Sequence, residues 1–550
     1  MKKILFLLST ALYCNINYAQ NVTVFENVPF YSMYHYLGEG EQLPQDAYDQ
    51  IPEGAIRIHQ YERDIISRKL TDAEINSLEQ NLTVNATIIA ACDNYDRIAG
   101  VNLALVPKGR NTYTWEDTDV KRIEIGRFIT PFMNKNISPT QVPFSFRVDH
   151  LVNLFNDDNF RNAYDFWIEF RADGYSAAAN TQVAGCANRT DVFRGNLTFN
   201  STGGSITNNP TQEFIPLKYR DYLTKYNTTD VQGQTTRIVN FTLENEIENA
   251  KLYLSMSNHG ANSGGEEYAR RQHNISLDNQ LIHQYKPGGN TCEPFRQFNT
   301  QGNGIYGTSP KSLRNWISWN NWCPADKIPN REIDLGTLAP GEHSIKIEVP
   351  DAVFANNEGY FPISMYIQNS PSNQDVCAAP SNLEISNHYG QSLRLNWAEN
   401  GNSTNWEVLA GRRGNTNESF ESYHFANNEP HKDFENLLVN YYFYEFYVRS
   451  LCGETNKSEW VGPIYSARIT LSTEEMEKNG LKLYPNPVID IVNVDSQVNP
   501  KVVEIFNAEG KSVWKGNSKT ISFKTYPTGI YILKIEFEDG KKVQQKLIKK

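Results

Sequence analysis

Three acidic side chains stand in sequence settings that suit the hydrolysis of a covalent bond. Asp96 lies in the run Cys92-Asp93-Asn94-Tyr95-Asp96-Arg97, Glu267 follows Gly265-Glu266, and Glu169 lies in Trp167-Ile168-Glu169-Phe170. Two carboxyl groups in different surroundings can divide the chemistry, because burial separates their pKa values. One then activates water while the other moves a proton. An isolated Asp-Arg pair is more often a structural ion pair. The surrounding motif is therefore needed to distinguish a catalytic role for Asp96 from a structural one.

Nothing in the chain requires a metal ion or another cofactor. The cysteines form no CxxC pair and join no histidine at a zinc-like spacing. A net charge of −11 argues against a nucleic-acid partner, since phosphate binding needs clustered Lys and Arg. We therefore expect no cofactor, no metal and no nucleic acid.

Residues 21 to about 370 must supply the framework that positions these acids. The 30 Tyr and 27 Phe of the 550-residue chain favour β-structure. Only residues 72–80 have a helical pattern, with Thr71 as the N-cap and Glu74 three residues later. Many short strands joined by long loops predict two packed antiparallel sandwiches or jelly rolls. The strand candidates are 84–89, 101–106, 123–128, 144–148, 166–170, 239–243, 252–256, 345–349 and 363–367.

Two motifs in this region resemble those of one enzyme family. Downstream of Arg97 runs Ile123-Glu124-Ile125-Gly126-Arg127-Phe128-Ile129-Thr130-Pro131, and the second motif runs from Ser257-Asn258-His259-Gly260 through Glu267 to Trp322-Cys323-Pro324. Their order and spacing resemble the flavobacterial peptide-N-glycanase (PNGase F) family over about residues 22–368. The resemblance implies two adjacent antiparallel jelly rolls with the active site between them. It also implies an amidase that splits the bond between asparagine and the first N-acetylglucosamine of N-glycoproteins, leaving aspartate.

The resemblance assigns roles to the three acids. Asp96 falls on the family's essential aspartate, and we expect it to activate the attacking water. Glu267 falls on an acidic residue of the second domain that supports catalysis. Glu169 matches a third acidic residue at the site. Arg97 is expected to hold Asp96 ionised or to orient the site.

Sugar-binding residues follow from the same resemblance. Tyr95 and Trp322 offer ring faces to an N-acetylglucosamine ring. A family arginine three places before Trp322 is replaced by Trp319, and Arg314 is the nearest candidate to take its place.

The cysteines and one N-terminal stretch depart from the family's pattern. Six cysteines remain of the seven once Cys14 leaves with a signal peptide, and an even number in an exported chain favours disulfides. The resemblance keeps Cys292–Cys323 as a pair, whereas Thr87 replaces the family's partner of Cys92. Gly265 and Ala269 stand where the family has a short disulfide, and residues 38–70 have no counterpart. We expect Cys92–Cys186 by elimination, and Cys377–Cys452 because these two flank one β module.

Both chain ends carry export signals. Residues 1–19 form a predicted signal peptide, with Lys2 and Lys3 before an apolar run and Ala19 at the cleavage site. Residues 481–550 resemble the C-terminal sorting domain of the type IX secretion system, on the evidence of Leu483-Tyr484-Pro485-Asn486-Pro487, the PTGIYIL run and the basic end. The resemblance implies that the type IX secretion machinery carries the protein across the outer membrane. We expect a secreted or cell-surface protein with no stable membrane insertion.

The chain is thus predicted to be all-β beyond its signal peptide. Residues 20–205 and 206–368 are the two jelly rolls, and residues 481–550 form a small sandwich. Residues 377–472 resemble a fibronectin type III domain, with an early Trp397 and the late strand Tyr444-Glu445-Phe446-Tyr447-Val448.

Two other functions stay open from the sequence. A non-catalytic glycan-binding protein could use the same fold, and it differs from the amidase in whether Asp96 and Glu267 converge on one small gap. A glycoside hydrolase would place two carboxyl groups across a sugar–sugar bond, but no motif supports it.

Overall fold

The computed structural model describes residues 20–550, apart from 39, 61–62, 205–211, 225–234, 263–264, 290, 303–304, 312–314, 317–318, 370–376, 390–391, 402, 413–420, 427–428, 436–443, 453–456, 459, 467–480, 497–498, 508–509 and 539–541. The predicted signal peptide and Arg314 therefore lie outside the described residues. No helix in the described part is long and apolar enough to cross a membrane.

The first jelly roll holds strands β1 to β9 and the second holds β10 to β18. The first set is β1 (Gln20–Tyr31), β2 (Ile56–Gln60), β3 (Arg63–Lys69), β4 (Asn81–Ala90), β5 (Ile98–Pro107), β6 (Lys121–Ile129), β7 (Gln141–Arg147), β8 (Tyr164–Asp173) and β9 (Asp191–Thr202). The second set is β10 (Phe214–Leu223), β11 (Thr236–Leu243), β12 (Ile247–Met256), β13 (His273–Leu277), β14 (Gln280–Tyr285), β15 (Lys327–Ile328), β16 (Asn330–Leu338), β17 (Gly341–Glu348) and β18 (Phe361–Asn369).

These strands form four antiparallel sheets. A four-stranded sheet in the order β1-β9-β4-β7 faces a six-stranded sheet in the order β15-β6-β5-β8-β3-β2. The second jelly roll pairs two four-stranded sheets, β10-β18-β12-β16 and β11-β17-β13-β14. Strand β15 belongs to the second jelly roll in sequence but pairs with β6, through Lys327–Phe128 and Ile328–Arg127. The two jelly rolls therefore lie side by side and share a sheet edge.

Burial follows from this packing. Strand β7 alternates exposed and buried residues, as a strand with one solvent face does. Strands β5 and β8 are buried along nearly their whole length, because the second jelly roll covers the outer face of their sheet. The polar residues of that face, such as Asn102 and Arg171, are consequently buried as well.

Short helices connect the strands. The prediction at Thr71 is confirmed: its hydroxyl accepts from the Glu74 amide at 3.2 Å, and the Glu74 carboxylate accepts from the Thr71 amide at 2.8 Å. The prediction of a single helix is wrong, because four others of four to six residues are present. Such helices are too short to show an amphipathic period. The helices are α1 (Asp46–Asp49), α2 (Asp72–Ser77), α3 (His150–Phe155), α4 (Asp158–Ala163) and α5 (Ala177–Gln182), with a π-helix at Tyr34–Gly38 and 3₁₀ turns at Glu293–Phe298 and Ala355–Asn357.

Two smaller sandwiches follow. The third unit pairs sheets β19-β20-β23 and β22-β21-β24-β25, and the fourth pairs β26-β27-β30 and β29-β28-β31-β32, each around its own apolar core. Their strands are β19 (Ser381–Tyr389), β20 (Ser392–Ala398), β21 (Asn405–Arg412), β22 (Glu421–Ala426), β23 (His431–Phe434), β24 (Tyr444–Ser450), β25 (Val461–Tyr465), β26 (Leu481–Tyr484), β27 (Ile491–Ser496), β28 (Pro500–Asn507), β29 (Ser512–Gly516), β30 (Thr520–Ser522), β31 (Gly529–Phe537) and β32 (Lys542–Lys549).

Three disulfides join the pairs expected from the sequence. They are Cys92–Cys186 in the first jelly roll, Cys292–Cys323 in the second, and Cys377–Cys452 in the third unit.

Candidate active site

A cleft of about 1490 Å³ opens where the two jelly rolls meet, and both contribute to its lining. We call it the interface cleft. Five of the predicted site residues line it: Asp96, Tyr95 and Arg97 from the loop between β4 and β5, and Glu267 and Trp322 from the second jelly roll. The fold thus brings together side chains from two jelly rolls that are far apart in the sequence, such as Asp96 and Glu267.

Asp96 is the acid of the first jelly roll in this cleft. Burial is the main cause of a shift that raises its pKa to about 7, and the negative charge of Glu267 adds to it, whereas Arg97 opposes it. A carboxyl group with a pKa near neutrality can both give up and hold a proton at the working pH. The negative charge of Glu267 thus reaches Asp96 across the cleft.

Glu267 lies on a turn after β12. Its carboxylate accepts a hydrogen bond of 3.2 Å from the Gly260 amide. Burial raises the pKa of Glu267, although hydrogen bonds from Tyr268 and Gly260 oppose that change. Its neighbour Glu266 is fully buried and pairs with Arg271 at 2.6 Å, so only the second of the two adjacent glutamates lines the cleft.

Polar contacts hold this turn where the family has a short disulfide. The Asn321 amide group donates to the backbone carbonyls of Glu266 at 3.0 Å, Glu267 at 2.5 Å and Ala269 at 3.2 Å. A side chain at Gly265 would meet the Gly260 carbonyl oxygen at 1.9 Å, which leaves no room for a cysteine there.

Arg97 does not hydrogen-bond to Asp96. Its guanidinium instead pairs with Asp93, with Nε at 2.6 Å from Oδ2 and Nη2 at 3.2 Å from Oδ1. The positive charge of Arg97 still acts to lower the pKa of Asp96. Of the two roles expected for Arg97, orienting the site is the one that its hydrogen bonds favour.

Aromatic rings surround the acids. Tyr95 is 42% exposed and lies 5.7 Å, between ring centres, from Phe132. The Trp322 indole donates to the Asn258 carbonyl at 2.8 Å, which fixes the ring at the cleft wall. Tyr268 and Trp319 form a further pair with ring centres 5.2 Å apart. Such ring faces suit contact with the apolar face of a sugar.

The structure does not bring Glu169 to the interface cleft. Its carboxylate is fully buried and accepts hydrogen bonds from Tyr113 at 2.8 Å, Arg122 at 2.8 Å and Asn102 at 2.9 Å. Four residues further along β8, Asp173 lines the cleft instead.

Asp173 was missed because strand periodicity alone cannot separate it from Glu169. Both point to the same face of β8, and only their positions along the strand decide which one reaches the cleft. Burial alone would raise the pKa of Asp173, but Arg171, Arg220 and Arg63 lower it.

A cation in the second jelly roll was also missed. Arg314, expected to replace the family arginine, is outside the described residues. Lys311 lines the cleft, with its ammonium 4.7 Å from the centre of the Trp316 ring and 5.2 Å from that of Trp319. Nothing in the sequence distinguished Lys311 from Lys286, the other lysine between β14 and β15.

The site therefore combines two acids with raised pKa values, a third acid held ionised, and exposed ring faces. Such a group can activate water, deliver a proton and hold a sugar, which is the requirement for hydrolysis at a glycosylated centre.

Comparisons with known families give matches over most of the chain. The profile described as peptide-N-glycosidase F, N terminal, matches residues 21–183, and the one described as peptide-N-glycosidase F, C terminal, matches residues 225–368. A secretion system C-terminal sorting domain matches residues 482–550. No curated protein matches the chain.

Solved structures are similar at low sequence identity. PNGF-II shares 18% identity with a TM-score of 0.46, and the match covers 64% of this chain and 66% of PNGF-II, just under two thirds of its length. A peptide-N(4)-(N-acetyl-β-D-glucosaminyl) asparagine amidase shares 15% identity with a TM-score of 0.41, covering 64% of this chain and 97% of that one. The fibronectin type III domain of human collagen α-1(XX) shares 18% identity with a TM-score of 0.15, covering 18% and 90% of the two chains.

Proposed function

This chain belongs to the peptide-N-glycosidase F family, and from that premise we propose that it hydrolyses the amide bond between asparagine and the first N-acetylglucosamine of N-glycoproteins. The products are the free glycan, as its glycosylamine, and a peptide with aspartate in place of asparagine. The C-terminal sorting domain indicates type IX export, so the protein is secreted or displayed at the cell surface. Glycoproteins outside the cell are therefore its proposed substrates.

The observation that carries this proposal is the convergence of Asp96 and Glu267 on one cleft from two separate jelly rolls. In the proposed reaction the Asp96 carboxylate takes a proton from the attacking water, which then adds to the amide carbon. Glu267, with its raised pKa, hydrogen-bonds to a water in the cleft and supports proton transfer to the departing amine. Tyr95 and Trp322 hold the sugar ring.

Mass measurement of both products tests the reaction class. The full chain is incubated with a denatured N-glycoprotein, and peptide and glycan are weighed. An amidase leaves aspartate at the former glycosylation site and an intact glycan. A glycoside hydrolase would leave one sugar on asparagine, and a glycan-binding protein would leave the substrate unchanged. Either of those results would overturn the proposal.

A further inference from the structure

Asp93 is a buried acid that makes four hydrogen bonds and does not line the interface cleft. Its side chain is 0% exposed. Its two oxygens accept from Arg97 Nε at 2.6 Å, Arg97 Nη2 at 3.2 Å, the Tyr95 amide at 3.0 Å and the Tyr175 amide at 2.7 Å. One carboxylate thus binds the chain on both sides of Asp96 and a second segment, which follows β8.

Other contacts fix the same loop at its two ends. At the start, the Cys92–Cys186 disulfide and a hydrogen bond of 2.7 Å from Asn94 to Gln182 attach it to the segment around α5. At its end, the Arg97 amide donates to the Thr130 hydroxyl at 2.8 Å, and the Thr130 amide donates to the Arg97 carbonyl at 2.8 Å. In the middle of the loop, the Tyr95 amide donates to the Asp93 carboxylate, and the Tyr95 ring contacts Phe132.

Asp93 also fixes the position of the Arg97 guanidinium group. Two of the guanidinium nitrogens are occupied by Asp93. Asp96 is next to Arg97 in the chain and lines the same cleft. If Asp93 lost its charge, Asp96 and Asp173 would be the carboxylates nearest in charge to that cation, and Asp96 interacts with it more strongly.

We propose that Asp93 is a positioning residue, which orders the loop from residue 93 to 97 and holds Arg97 away from Asp96 so that the Asp96 carboxyl group faces the cleft free to exchange a proton. The proposal rests on the amidase function proposed above for its kinetic consequences, but its structural part is independent of that function. Asp93 acts through Arg97 and touches no substrate.

The charges around Asp96 predict the direction in which its pKa changes when Asp93 or Arg97 is substituted. Burial and Glu267 raise the pKa of Asp96, Arg97 lowers it, and Asp93 also raises it. Tyr268 and Tyr306 also interact with the Asp96 charge. Removing the Asp93 charge removes one raising influence and releases Arg97. The pKa of Asp96 should therefore fall in Asp93→Asn and rise in Arg97→Gln.

Carbon-13 NMR of aspartate-labelled full-length protein measures that pKa directly, with Asp96→Asn identifying the signal. We expect the Asp96 titration to move to lower pH by about one pH unit in Asp93→Asn, and to higher pH in Arg97→Gln. The double variant should return towards the unsubstituted protein. Asp119→Asn is the matched control, because Asp119 is exposed and pairs with Arg110 away from the cleft.

Kinetics provide the second measurement. In Asp93→Asn, kcat should fall by about tenfold to a hundredfold through loss of loop order, with a smaller change in KM, and the acid limb of kcat/KM should move with the NMR titration. A purely structural role would lower kcat without moving that limb.

The following results would overturn the proposal that Asp93 positions the loop. An unchanged Asp96 titration in a folded Asp93→Asn protein would overturn it. If Asp93→Asn does not fold, Arg97→Gln decides alone, and an Asp96 titration that fails to rise overturns it equally. If the unsubstituted protein releases no glycan, the proposed function fails, while the NMR titrations still test the role of Asp93.

Discussion

Arg127 of the first jelly roll donates a hydrogen bond of 2.9 Å to the Ser257 hydroxyl of the second, across 130 positions of sequence. The same guanidinium donates to the Pro362 carbonyl at 2.8 Å and pairs with Glu124. Burial alone would raise the pKa of Glu124, but Arg127 and Arg171 lower it to about 2. Arg127 belongs to the run from Ile123 to Pro131, which carries part of the family resemblance. One role of that run is therefore to join the two halves of the cleft.

Arg127→Ala should destabilise the paired jelly rolls strongly. It leaves the buried Glu124 without its main partner, which costs about 3–5 kcal/mol for a buried pair. Urea unfolding of the full chain measures the loss. Arg110→Ala breaks an exposed pair with Asp119 and should cost less than about 1 kcal/mol. Equal effects of the two substitutions would show that the junction does not depend on Arg127.

Asp96→Asn should abolish most glycan release without unfolding the protein. Loss of a group that activates water lowers kcat by about a hundredfold to ten-thousandfold. Asp326→Asn is a demanding control, because burial raises the pKa of Asp326 to about 6 although it does not line the cleft. We expect kcat/KM on an N-glycopeptide to be retained in Asp326→Asn. Full activity in Asp96→Asn would reject the assignment.

The pH profile should reflect the Asp96 titration. Asp96 has to be ionised to accept a proton, and its pKa is raised to about 7. The value of kcat/KM should therefore fall as the pH drops below about 7. In Glu267→Gln the neighbouring negative charge is lost, so the pKa of Asp96 falls and the remaining activity should extend to lower pH. An acid limb that stays in place would mean that Glu267 does not influence Asp96.

Glu169→Gln and Asp173→Asn should have different consequences. Glu169→Gln removes the buried charge that Arg122 pairs with, so we expect lower stability, by about 1–3 kcal/mol, and a KM close to normal. Asp173→Asn changes a residue that lines the cleft, so we expect a raised KM. Thermal unfolding and steady-state kinetics on both variants distinguish the two. The reverse pattern would restore Glu169 to the site.

Loss of the Cys92–Cys186 disulfide should lower activity as well as stability. Cys92 directly precedes the loop that carries Asp96, and removing a native disulfide costs about 2–5 kcal/mol. The double substitution to alanine is compared with the equivalent change at Cys377 and Cys452, which lie in the third unit. Both pairs should lose stability, but only the first should lower kcat/KM. An equal loss of kcat/KM in both would show that the third unit supports the site.

Strand positions could be predicted from the sequence for physical reasons, and so could Asp96 and Glu267 as candidate site residues, both of which line the interface cleft. Strands can be recognised from their residue composition and from the alternation of apolar and polar residues. The cap at Thr71 likewise depends only on residues close together in the sequence. Asp96 and Glu267 stood out because each lies in a run of several specific residues.

The remaining features depend on contacts that local sequence does not record. Glu169 and Asp173 share one face of β8, and only the position of the second jelly roll decides between them. The partner of Arg97 was also unpredictable, since Asp93 and Asp96 are both in its loop and the backbone amide of Tyr175 is what completes the Asp93 site. Helix α3 has no solvent-exposed face because all six of its residues are buried, His150 and Asn153 included.

The pairing of β15 with β6 has a consequence for the solubility of truncated forms of this chain. In a fragment that ends before residue 327, the end of β6 at Arg127 and Phe128 would lose the strand that pairs with it, and unpaired backbone groups at a strand edge are a template for intermolecular association. Nonsense or proteolytic products that stop before residue 327 should therefore aggregate instead of persisting as a soluble first half. Truncated chains in a preparation would then be found in the insoluble fraction.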